Sequence, residues 1–236
     1  MSTSFSRLLR LPKRGTYAAL LLALVLLDLV YPVLAEAGLR RVWLAEVFFL
    51  LLLFSSLAAA VDQRRTLVLL IVIGLASELF RLGLGDALVG AEAALAIHRG
   101  GRLVFTVITF GIILRHVLAS GTVTADLILG ALCAYLLLGL AFGMAYEWVE
   151  ASASGSFTIP PGRGGGPLGP GLVAESLQYF SLTTLTTLGY GDVTPLSPLA
   201  RSLATLEAFL GQVFLAVVIA RLVAVHVMQG KTGADR

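Results

Sequence analysis

Apolar residues in this chain come in long unbroken runs, with little of the period-two alternation of a half-buried strand. Runs cover residues 17–35, 42–61, 66–82, 103–119, 124–146 and 199–228. Each approaches the roughly 20 residues that a helix needs to cross a bilayer, so each is predicted to be a membrane span. Short charged punctuation separates the early ones: Gly38-Leu39-Arg40-Arg41, then Asp62-Gln63-Arg64-Arg65. Arg7, Arg10, Lys13 and Arg14 precede the first run, which favours a cytoplasmic amino terminus. That run is long and lacks an Ala-x-Ala closure, which predicts a retained helix and not a cleaved signal peptide.

Two stretches break this rhythm. In residues 83–102, Gly83, Gly85, Asp86, Gly90 and Gly101 interrupt helix, and residues 87–97 read as a short surface helix separate from the span that follows. Residues 150–171 are rich in Gly, Pro and Ser, and Pro160-Pro161-Gly162-Arg163-Gly164-Gly165-Gly166-Pro167 cannot hold a spanning helix. This stretch reads as an external turret. After it, residues 172–186 form a helical segment too short to cross alone. Such a segment can re-enter the membrane when protein surrounds it.

Composition agrees with a multi-span membrane protein. Hydrophobic residues make up 58% and charged residues 13%, against about 25% charged in ordinary soluble domains. The net charge of +3 is modest, with no basic, aromatic-interleaved patch for nucleic acid. Cys133 is the sole cysteine, which excludes an intrachain disulfide, and His98, His116 and His226 are dispersed. No nucleophile–base pair, nucleotide loop or spaced metal-ligand set is present, so neither an enzyme nor a cofactor is expected. The intramembrane acids Asp28, Glu46, Asp126, Glu147 and Glu207 call for partners, because a lipid-facing carboxylate is costly. Glu78 and Arg81 have the spacing to pair with each other.

The candidate chemistry lies between the turret and the last run: Thr183-Thr184-Leu185-Thr186-Thr187-Leu188-Gly189-Tyr190-Gly191-Asp192. Gly-Tyr-Gly by itself is compatible with a turn at the membrane surface. With its threonines and its position between two spans, the stretch resembles the selectivity filter of tetrameric potassium channels. Thr184 and Thr187 take the threonine places, Leu188 stands where valine is common, and Asp192 follows the second glycine. The resemblance covers about residues 124–228; the earlier spans match that family in number only.

It implies an all-α membrane protein with six transmembrane helices, a re-entrant pore helix and a filter loop, assembled as a tetramer with three identical subunits. Backbone carbonyls of Thr187, Leu188, Gly189, Tyr190 and Gly191 are then the ion-binding filter for potassium, with Thr183, Thr184 and Asp192 in support. Gln178 and Tyr179 are the candidates to brace Asp192. Gly211 stands at the spacing of the inner-helix hinge, where close packing is an equal alternative. Leu215, Ile219 and Val223 recur every four residues as a candidate gate. Glu207 is read as bonded to the pore helix, with ion attraction or proton-sensitive gating as the other role; Arg221 can meet lipid phosphate, a carboxylate or a regulatory anion. Residues 103–114 carry no charge, which departs from an arginine-rich voltage sensor.

The expected layout is a cytoplasmic segment 1–15, a four-helix membrane domain 16–119, a pore domain 120–228 and a cytoplasmic tail 229–236, in the plasma membrane with both termini inside. Membrane lipid is the expected partner, and the tail is too short for a cytosolic ligand-binding domain. In this count Arg40, Arg41, Arg99 and Arg102 fall outside, against the usual charge bias. The alternatives are a weakly selective monovalent cation channel, a potassium-transporter subunit and a non-conducting scaffold.

Overall fold

The computed structural model describes residues 16–30, 64–80, 89–161 and 169–234. The expected span at 42–61 and residues 1–15 lie outside them. Helix α1 covers Thr16–Val25 and runs into a π-helical turn at Leu26–Val30. Then follow α2 (Arg64–Leu79), α3 (Ala91–Ala119) and α4 (Ala125–Ser152). After these come β1 (Phe157–Thr158), α5 (Pro170–Leu185), β2 (Thr194–Pro195) and α6 (Pro198–Ala234). Among the described residues three helices are long and apolar enough to cross a membrane: Ala91–Ala119, Ala125–Ser152 and Pro198–Val225. The chain is thus a multi-pass membrane protein.

One expectation about α3 is corrected. Residues 91–97 are not part of a separate surface helix; α3 runs without a break from Ala91 through Gly101 to Ala119. Gly101 serves packing and does not interrupt the helix. A Cβ there would lie 2.8 Å from the Ser77 Cβ, so its absence lets α2 and α3 touch at backbone range. His98, one turn earlier on α3, seals the same crossing: its Nδ1 lies 2.9 Å from the Ser77 carbonyl oxygen. A carbonyl only accepts, so that nitrogen carries the ring proton.

The chain divides into two compact units, 1–114 with 125–133, and 115–124 with 134–236. In the first, the Tyr17 ring lies against Gly130, where a Cβ would be 3.1 Å from two ring carbons. Cys133 is buried there and donates to the Tyr17 carbonyl at 3.4 Å. The second unit holds the filter stretch. Its core is a cluster of Tyr146, Phe157, Leu177, Phe180, Val193 and Ala200. Tyr146, Phe157 and Phe180 meet pairwise with ring centroids 5.2–5.6 Å apart in tilted or edge-on geometry, the arrangement that aromatic quadrupoles favour.

The same core explains the path of residues 153–159. Glu150, near the end of α4, accepts the amides of Gly155 at 2.7 Å and Phe157 at 3.0 Å. This turns the chain so that Phe157 drops into the core. β1 then pairs antiparallel with β2, Phe157 opposite Pro195 and Thr158 opposite Thr194. Residues 157–158, before α5, and 194–195, after residues 183–192, are thereby clipped together.

Candidate functional site

Helix α5 is the expected short helix, with Pro at its start and no charge in its last turn. Its end is specific. The Leu188 amide donates back to the Thr183 carbonyl at 2.8 Å, and the Thr187 amide donates to the Thr184 carbonyl at 3.0 Å. With Thr187 at φ +59°, these nested bonds form a Schellman motif. Glycine usually holds the left-handed place; here it is a β-branched threonine, for which that conformation is an outlier. Gly189 at φ +55° and Gly191 at φ +80° follow. Thr187, Gly189 and Gly191 are therefore left-handed, while Leu188 and Tyr190 between them are not.

Residues 186–192 are exposed, Leu188 at 55% and Tyr190 at 69%. Thr183 is buried and its hydroxyl donates to the Phe180 carbonyl, whereas Thr184 is half-buried. Of the two candidates to brace Asp192, Tyr179 is the one that reaches it. Its hydroxyl donates to Asp192 Oδ1 at 3.3 Å, and its ring stacks on Tyr190 at 6.5 Å and 8°. Desolvation, then the bond to Asp192, holds the Tyr179 phenol above its ordinary value, so it remains a donor at neutral pH. Asp192 Oδ1 also accepts the Val193 amide at 3.1 Å.

Behind α5 lie α4 and α6. Gly211, in the unbroken helix α6, sits on the end of α5: a Cβ there would be 2.6 Å from the Leu185 carbonyl oxygen. That carbonyl also accepts the Tyr135 hydroxyl at 3.0 Å. Glu207, one turn earlier on α6, is 0% exposed. Tyr146 donates to its Oε2 at 2.5 Å, and Ser181 Oγ lies 2.5 Å from its Oε1 and 2.6 Å from the Gly139 carbonyl oxygen. Leu215 is half-buried, and Ile219 and Val223 are exposed on α6. Arg221 donates through Nη2 to the Ser120 carbonyl at 3.2 Å.

Two glycines escaped the sequence reading. Gly139 and Gly143 on α4 form the groove into which α5 fits. A Cβ on Gly139 would lie 3.0 Å from Leu182 Cδ2, and one on Gly143 would collide with the Gln178 side chain. Two glycines four apart in a spanning helix are a recognised close-packing pattern, so the signal was present in the sequence.

A family model described as ion channel matches residues 173–227. The chain is 34% identical over 87 residues to the inward rectifier potassium channel Kirbac3.1 of Paramagnetospirillum magnetotacticum, covering 35% of this chain and 24% of that protein. It is 38% identical over 84 residues to protein LctB of Geobacillus stearothermophilus, covering 36% and 60%. It is 35% identical over 92 residues to two pore potassium channel c of Oryza sativa subsp. japonica, covering 39% and 17%. The chain therefore spans only part of the length of each of these relatives. No solved structure matches it. These matches show a likeness to cation- and potassium-channel proteins over the part of the chain that they cover.

Proposed function

We propose that this protein is a potassium-selective channel in which four copies surround one axis, each contributing Thr187, Leu188, Gly189, Tyr190 and Gly191. The observation that carries this reading is the alternation of hand along those residues, left at 187, 189 and 191 only. In an ordinary extended strand, successive carbonyls face opposite sides. Alternating hand turns successive peptide planes the same way, so their oxygens line one side of the chain. Rings of such oxygens replace the water shell of a dehydrated cation. The exposure of this segment in one chain leaves it open to its copies, and the named potassium channels among the relatives support the choice of ion.

In this reading α5 is a re-entrant pore helix whose carboxyl end, carrying about half a negative charge, faces the cation below the filter. Thr183, Thr184 and Asp192 hold the loop, with Asp192 at the outer mouth. Leu215, Ile219 and Val223 line the inner pore of α6, where apolar rings gate by narrowing and dewetting. The layout follows: amino-terminal segment 1–15 and tail 229–236 in the cytoplasm, membrane domain 16–119, and pore domain 120–228, with six spans in the plasma membrane. Lipid surrounds the exposed apolar faces, and potassium is the transported ion.

One observation favours weaker selectivity as the second reading. Leu188 is 55% exposed and bulkier than valine, so its packing in an assembly sets the filter's width. Reconstitution into liposomes, with potassium, rubidium, sodium and caesium fluxes compared, tests both. A clear preference for potassium and rubidium is expected; equal sodium flux selects the weaker reading, and no flux from a properly inserted assembly overturns both.

A further inference from the structure

We propose that Glu207 is built into the fold as a neutral carboxylic acid, a proton-carrying joint that positions the pore helix against the inner helix. Three close oxygen pairs meet in one sealed spot: Tyr146 Oη with Glu207 Oε2 at 2.5 Å, Glu207 Oε1 with Ser181 Oγ at 2.5 Å, and Ser181 Oγ with the Gly139 carbonyl at 2.6 Å. Glu207, Ser181 and Tyr146 are all 0% exposed, so water supplies no further donor.

An ionised Glu207 leaves two protons for three pairs, one on Tyr146 and one on Ser181. If Ser181 then donates to the carboxylate, its oxygen faces the Gly139 carbonyl with nothing between two acceptors. If it donates to Gly139, its oxygen faces a bare carboxylate oxygen instead. Either way two lone pairs are pressed together in a dry interior. A protonated Glu207 removes the conflict. Its Oε1–H donates to Ser181 Oγ, the Ser181 hydroxyl donates to the Gly139 carbonyl, and Tyr146 donates to Oε2. Every pair then holds one proton.

Burial acts in the same direction. An uncompensated carboxylate in a membrane interior is expensive, and among the described residues no cation bonds to Glu207. The titratable groups around it are Tyr146 and Tyr135, both on α4; Tyr135 lies within its electrostatic reach. From α5 it meets only the Ser181 hydroxyl. Tyr146 and Gly139 belong to α4, Ser181 to α5 and Glu207 to α6, so one proton chain ties three helices behind the filter. Glu207 is a positioning residue: it does not touch the ion path described above, and acts through Ser181.

The test compares wild type, Glu207→Gln, Glu207→Ala and Ser181→Ala in liposomes. Infrared difference spectra between wild type and Glu207→Gln should show the carbonyl stretch of a protonated acid, lost in the variant; a pair of carboxylate bands in its place overturns the proposal. Glutamine keeps every bond, its amide nitrogen donating to Ser181 and its oxygen accepting from Tyr146. Its second N–H finds no acceptor there, so Glu207→Gln should lose far less thermal stability and flux than the alanine variants. Glu207→Ala and Ser181→Ala should each lose about tenfold or more in flux-competent protein, and failure to assemble counts as that loss. A glutamine variant as damaged as the alanine one overturns the proposal. The transport readout rests on the channel reading, whereas the infrared readout does not: an acid band in a protein without flux would sink the channel and leave the joint standing.

Discussion

Replacing Gly211 by Ala separates two roles for that residue that differ in sign. A hinge glycine sits in a helix that is otherwise under no constraint there. Alanine then stabilises the helix by about 0.5–1 kcal/mol through backbone entropy and propensity. The structure points the other way. A Cβ at 211 would lie 2.6 Å from the Leu185 carbonyl oxygen and 3.0 Å from Leu185 Cδ1, where ordinary contact begins at 3.4 Å. The carbonyl is backbone at the last turn of α5, and the Tyr135 hydroxyl holds it at 3.0 Å. It cannot swing aside like the end of a flexible side chain, so α6 and α5 must part by roughly 0.8 Å. Overpacking of this kind costs about 1–3 kcal/mol, which outweighs the propensity gain. Each copy in an assembly carries the same misfit. The expected result is a lower thermal midpoint of the detergent-solubilised protein and, in the proposed channel, a reduced potassium-to-sodium flux ratio, because the Leu185 carbonyl lies just before the proposed filter residues. A Gly211→Ala protein that melts higher, with its flux ratio unchanged, would refute the packing argument and restore the hinge.

Three further substitutions address the proposed filter and its mouth. Gly191→Ala places a side chain at φ +80° in open space, so only the backbone objects, at about 1–2 kcal/mol per copy; potassium preference in liposomes should fall. Thr187→Gly should do the reverse for stability. It relieves the left-handed threonine at φ +59° and leaves the thermal midpoint no lower, yet deletes the hydroxyl at the inner end of the filter and weakens selectivity. A midpoint that drops would show that the threonine is unstrained. Tyr179→Phe removes the donor to Asp192 but keeps the stacked ring; the pair is exposed, so the loss should stay under about 1 kcal/mol, read by thermal unfolding.

The stretch at residues 183–192 stood out in the sequence because its glycines and threonines fall in a fixed order, as a carbonyl-lined loop would require. Gly189 and Gly191 stand where the backbone is left-handed, and α5 begins and ends within two residues of its expected limits. What was not legible depends on partners far apart in sequence. Gly101 reads as a helix breaker until Ser77 is seen against it. Tyr179 and Gln178 were equal as braces for Asp192, since adjacent helical residues differ only in direction; the structure sends Tyr179 to the mouth and Gln178 towards Gly143. Tyr146 and Ser181 carried no signal of their own, because a tyrosine and a serine in apolar helices have many uses. Only Glu207, too costly to leave alone, announced that some such partner must exist.

Three levels of contact along α5 together explain why its end is where it is. Near the middle, Gly143 admits Gln178; one turn on, Ser181 joins Gly139 and Glu207; at the last turn, the Leu185 carbonyl meets Gly211 and Tyr135. Each level relies on a missing Cβ, a hydrogen bond, or both, and such contacts tolerate little sliding. A purely greasy seam would let α5 shift along its neighbours at small cost, since apolar contacts are not directional. Here a shift of one residue would strand Ser181 and press a side chain into Leu185. The end of α5, where the proposed filter begins, is therefore set within a single chain by helices α4 and α6. In the channel proposed above, further copies would supply what is left: a cover for the exposed residues 186–192 and a common axis for their carbonyls.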